Sequence, residues 1–320
     1  YAIGYGGLYQ LLGLVGQLKT EVIALDKAFF SIKAVTQATD RQMLGVARSI
    51  REVALNTNFT TKEIAEAAQL LGQAGVLPED MDATLASTAR FASATNSSLT
   101  VAADLMSTVR TVYKTLDEGV IGDQLTRAIN LSKLTAEDLK TILSLTAQTA
   151  SSYNVNLEQL LGAVTTLRNS GIKPSTVATG LRQAMLEIFN PDSATTKALL
   201  KRYKEMGEEI DAKGVSQRFF GFSNAANPLL AALGELRRLG FTDEGQKTLQ
   251  RGVDIRAFNA IQALLQNYKE LEQAENKITF GQAASVGAEI QLKSLAASME
   301  NLGASVVVLA EQISGGLVRA

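Results

Sequence analysis

Any chemistry in this sequence would have to start from its acidic residues. The chain contains no histidine and no cysteine. The commonest general base, the commonest metal ligand and the thiolate nucleophile are therefore all missing. Carboxylates, lysines, tyrosines and serines remain. Two adjacent pairs, Asp117/Glu118 and Glu208/Glu209, have the residue types that an acid–base hydrolase places about a glycosidic bond. Their spacing argues against that use, because neighbouring positions on a helix point in different directions. Both pairs also sit among polar residues, where carboxylates are solvated. Phe219, Phe220 and Phe222 form an aromatic cluster, and such spacing reads as core rather than as a ligand pocket. The expectation is a protein with no catalytic, metal-binding or cofactor-binding residues, and not an enzyme.

The elements that would hold these residues read as helices throughout. Of 320 residues, 46% are apolar but only 6% aromatic, with four prolines and no tryptophan. That balance, rich in Ala and Leu, predicts an all-α protein. The net charge is −1 with both signs interspersed, so no basic footprint for nucleic acid or an anionic membrane is present. Neither end resembles a natural terminus, and a piece of a longer polypeptide is expected.

One long pattern dominates the N-terminal part. Apolar residues recur in steps of three and four from Leu8 through Leu11, Val15, Leu18, Val22, Leu25, Phe29 and Ile32. They resume at Met43, Val46, Ile50 and Val53, with Thr36 and Thr39 as the interruptions. A 3.5-residue repeat held this long predicts a coiled-coil helix over residues 1–55, paired with copies of itself or with a surrounding shell, the alternative being a long core helix of a large monomer. A second heptad run over residues 278–320 comprises Ala288, Leu292, Leu295, Met299, Leu302, Val306, Leu309 and Ile313. Small neighbours such as Ala296 and Gly303 suit close helix packing.

Between these runs lies a compact region that repeats itself. Thr60 and Glu63 have the spacing of a capping box, and the following helix carries Ile64, Ala67, Ala68 and Leu71 before stopping near Gly75, with Pro78 opening the next helix. A shift of 96 positions reproduces this as Asn156, Gln159, Leu160, Ala163, Val164, Leu167, Gly171 and Pro174. Residues 56–192 therefore read as a duplicated helix-turn-helix region. Thr135 and Asp138 start the helix leading into the second copy. Residues 193–277 read as shorter helices punctuated by glycine.

The duplicated region also carries a family resemblance. The run from Asn58 through Phe59, Thr60, Thr61, Lys62, Glu63, Ile64, Ala65, Glu66 and Ala67, followed by Leu70 to Gly75, resembles the core of phage tail tape measure proteins. So do Ala178 to Gln183 and Phe189-Asn190-Pro191. The similarity extends over roughly residues 40 to 290. It implies a virion protein, assembled in the host cytoplasm, that fills the lumen of the tail tube. Such a protein sits on the tail tip while tube subunits polymerise around it, and its helical length sets where the tube stops. The implied partners are copies of the same chain, tail tube and tail-tip or baseplate proteins, tail assembly chaperones and a contact with the host membrane during genome ejection. No sequence-specific nucleic acid binding is implied.

Two other readings compete. The apolar residues near Tyr1 to Gly16 and the small-residue C-terminal run suit a membrane-active or pore-forming helical protein. A helical solenoid scaffold would also explain the duplication, although two copies are fewer than such arrays usually need.

Overall fold

A computed structural model describes residues 26–190, 193–241, 253–279 and 282–294. Helix follows helix, and no strand occurs among the described residues. The order begins with α1 (26–36), α2 (Asp40–Leu55), α3 (Thr61–Gln73), α4 (Met81–Thr95), α5 (Leu99–Val112) and α6 (Glu118–Asn130). It continues with α7 (Ala136–Ser152), α8 (Leu157–Asn169), α9 (Pro174–Phe189), α10 (Ala194–Glu205) and α11 (Ala212–Gly221). A 3-10 turn at Phe222–Asn224 leads to α12 (Pro228–Arg238), α13 (Ile255–Gln266) and α14 (Tyr268–Thr279). Residues 283–294 form α15.

The single long helix expected over Leu8 to Val53 is not what forms. Residues before Asp26 lie outside the described part, and within it the helix breaks at residues 37–39. Gln37 takes a left-handed backbone with φ 53°. Thr36 turns its hydroxyl back onto the Ile32 carbonyl at 2.7 Å. Thr39 then starts α2 with a capping box, in which the Gln42 amide donates to Thr39 Oγ1 and the Thr39 amide donates to Gln42 Oε1. The threonines that interrupt the apolar stripe mark the break, because a hydroxyl that satisfies free amides at a helix start competes with helix continuation. The stripe itself is buried inside the chain. Ile32, Val46, Ile50 and Val53 are all buried, and Phe29 and Met43 pack against the same core.

From α2 to α9, each helix packs against the helix two positions further on: α2 on α4, α3 on α5, α4 on α6, α5 on α7, α6 on α8 and α7 on α9. Short connections keep successive helices antiparallel. The result is two rows, with α2, α4, α6 and α8 in one and α3, α5, α7 and α9 in the other. α1 joins the second row, where Ile32 and Thr36 reach Gly72 of α3. This is the stacking of a helical solenoid, in which each unit mainly contacts its neighbours. Two sequence copies suffice here because the stacking runs on through the junction between them.

At the 96-residue offset the two copies carry matching backbone devices. Thr60 with Glu63 and Asn156 with Gln159 form capping boxes, as do Thr39 with Gln42 and Thr135 with Asp138. The unit thus begins one helix earlier than residue 56, at α2 and α7. Gly75 and Gly171 both have left-handed backbones, with φ 87° and 86°, which only glycine adopts without strain. The prolines differ. Pro174 is the first residue of α9, whereas Pro78 starts a turn and α4 opens three residues later at Met81. Because α2 corresponds to α7, five helices on, equivalent helices of the two copies lie in opposite rows.

Beyond α9 the two-row rule stops. Helices α10 to α12 gather at that end, and the chain then turns back. α13 packs on α9 and α8, and α14 packs on α8 and reaches α6. α15 follows along the same row: the Ala284 amide donates to Asp123 Oδ1 of α6 at 2.8 Å, and Gly287 lies against Ala94 of α4. Ala288 is buried and Leu292 half-buried. The heptad positions from Leu295 to Ile313 lie outside the described residues.

Candidate functional site

Three of the four paired carboxylates are held by capping or ion pairs. Asp117 caps α6, its Oδ1 accepting from the Gly119 amide at 2.8 Å and the Val120 amide at 3.3 Å. Glu118 is ion-paired with Arg110 at 3.0 Å, and Arg110 also binds Asp80 at 2.7 Å. Glu209 is exposed, while Glu208 is held by Arg238 at 2.7 Å and Arg218 at 3.4 Å. Of the aromatic cluster, Phe219 is buried and meets Phe222 edge to face at 5.3 Å, whereas Phe220 is exposed.

The most perturbed polar cluster joins α10, α11 and α12, and its members are too far apart in sequence to be read as a group. Tyr203 of α10 is fully buried and donates its hydroxyl to Glu235 Oε1 at 2.5 Å. Arg238 grips both oxygens of Glu235 at 2.8 Å, and Arg218 adds a contact at 3.3 Å. The guanidinium groups of Arg218 and Arg238 also face the Tyr203 ring, at 5.2 and 5.7 Å from its centroid, a favourable cation–π arrangement. The Arg238 hydrogen bonds bring the Glu235 carboxyl down to about 2, and burial pushes the Tyr203 phenol up to about 12. A carboxylate already saturated with donors and a phenol locked in its neutral form make a structural knot rather than an acid–base pair.

Glu275 of α14 is buried, placed where α14 packs on α8. A signal for it exists in the sequence: it sits four residues after Leu271 and three before Ile278, on the apolar stripe of its helix. No group of acidic residues able to hold a metal ion occurs among the described residues. No helix among them is long and apolar enough to cross a membrane. An apolar cleft of about 460 Å³ opens between α1 and α2, lined by Phe29, Phe30, Met43, Leu44 and Ala47. Its polar rim is Asp26, Lys33 and Asp40, with Lys33 ion-paired to Asp40.

The family described as "Phage-related minor tail protein" matches residues 47–290. A relative named "Tape measure protein", from Pneumococcus phage Dp-1, is 21% identical over 294 residues. That alignment takes in 88% of this chain but 24% of the relative, so the chain spans about a quarter of that protein's length. No solved structure matches the chain.

Proposed function

The chain belongs to the phage-related minor tail protein family and so is a component of the virion tail, and from that premise we propose that it is a tape-measure segment, a length ruler and assembly scaffold for the tail tube. The observation that carries this reading is the match over residues 47–290 to a stretch whose described residues form helices joined by short turns. A helix advances by a fixed ~1.5 Å per residue, so chain length translates directly into distance once the helices lie end to end. The short turns at residues 56–60, 74–80 and 170–173 are the joints at which the two rows open into such a line. In this reading the compact stack is the form the segment takes before it enters the tube or after it leaves. The rod is the form it takes inside.

The partners that follow are further copies of the chain along the lumen, tube subunits, tail-tip or baseplate proteins and assembly chaperones. Contact with the host membrane during genome ejection belongs to the same proposal. The proposed role is structural and calls for no catalytic residue. Electron microscopy of particles in which this stretch is shortened or lengthened in frame tests it. Tail length should follow the number of residues.

A further inference from the structure

Glu275 occupies an unusual seat for a carboxyl group. It is 5% exposed, and Gly162 of α8 lies so close that a Cβ there would fall 2.4 Å from Glu275 Cγ. Oε2 accepts a hydrogen bond from Asn227 Nδ2, at the start of α12, at 2.5 Å. Oε1 is enclosed without a hydrogen-bond partner.

The charged groups around this seat do not neutralise it. From α8 comes the carboxylate of Glu158, and from α14 itself that of Glu272. Arg127 of α6 donates from Nη1 to the Lys277 carbonyl at 2.7 Å, not to Glu275. Arg237 of α12 lies over the Tyr268 ring at 4.8 Å, and the Tyr268 hydroxyl donates to the Leu230 carbonyl. An ionised carboxylate here would be dehydrated and without a counter-ion, which costs far more than burying the neutral acid.

We propose that Glu275 is a proton-operated clasp: the protonated acid seats α14, and α15 with it, on the α6/α8 row, and loss of the proton releases the pair. Burial pushes the Glu275 carboxyl up to about 8; the Asn227 hydrogen bond offsets part of this, while Glu158 and Glu272 add to it. A raised carboxyl is stabilising when protonated. Its contribution is complete below about pH 4.5, the value for the released side chain, and fades as pH rises through about 8. Release would uncover Leu271, Ala274, Ile278, Ala284 and Ala288, all buried in the seated form, together with the α8 surface around Gly162. A tail protein that must change shape gains from this a strap that opens without unfolding the two-row stack.

The test is hydrogen exchange across residues 268–294 of the full chain as a function of pH, corrected for intrinsic amide rates. The opening equilibrium should rise about tenfold per pH unit between roughly pH 5 and 8. In E275Q, which carries a side chain of similar size and no charge, it should be flat. Equal slopes in the two proteins, or no slope in the native chain, would overturn the clasp. If E275Q does not fold, NMR titration of the Glu275 carboxyl carbon in the native chain decides. A midpoint near 8 supports the proposal, and one near the ordinary glutamate value contradicts it.

Discussion

Glu235 and Glu275 show how two glutamates in neighbouring parts of one chain acquire opposite roles. Glu235 sits in a fork of arginine donors and its carboxyl is lowered to about 2. Its stabilising contribution is therefore complete above about pH 4.5 and is lost as pH falls towards 2. E235Q should remove that acid-side slope and cost about 1–2 kcal/mol at pH 7, once screening of the half-exposed arginines is allowed for. Urea unfolding of both proteins from pH 2.5 to 7 measures it, and parallel pH profiles would show that the knot is not the source. Glu275 could be noticed in the sequence, because a charge between Leu271 and Ile278 breaks an apolar stripe. The Tyr203–Arg218–Glu235–Arg238 knot could not. Its members lie up to 35 positions apart, and only the fold of α10 to α12 brings them together.

At the scale of single elements, caps and glycines decide where helices stop and where they touch. Thr60, Asn156 and Thr135 were legible as starts because each stands before an apolar run with an acid or amide three residues on. Thr39 has the same arrangement with Gln42. It was hidden because its place in the heptad register made it look like one weak position in a long seam. T39A should cost about 1 kcal/mol, read as a lowered urea midpoint. The glycines distinguish the two segments related by the 96-residue offset. Gly162 and Gly180 of the second copy meet Glu275 and the Arg256 carbonyl, whereas the first copy has Glu66 and Thr84 at the matching positions. The second copy has small residues where α13 and α14 seat. G162A should therefore destabilise by about 1–3 kcal/mol through overpacking and raise exchange in α14. G45A is the matched control, because a Cβ at Gly45 meets nothing within 4 Å. It should stabilise α2 by about 0.5–1 kcal/mol. If both changes have the same sign in thermal unfolding, close approach at Gly162 is not what holds α14.

For the molecule as a whole, composition and capping revealed an all-helical chain and the 96-residue offset revealed its internal repetition. The two-row stacking was not legible, because an apolar face specifies that a helix is covered but not which helix covers it. The stripe from Phe29 to Val53 could serve a coiled coil or a core with the same residues. The left-handed Gln37 and the Thr39 cap turn it into a core. The central claim, that this folded stack is a length of ruler when drawn out, is most directly tested by tail length in particles lacking residues 40–135. That deletion joins Thr39 to Ala136, lets Asp138 complete the capping box of Thr39 and removes one repeat length of 96 residues. Tails should be shorter by roughly 140 Å, at ~1.5 Å per residue. Assembled tails of parental length would contradict it and would make the stack a folded scaffold that measures nothing.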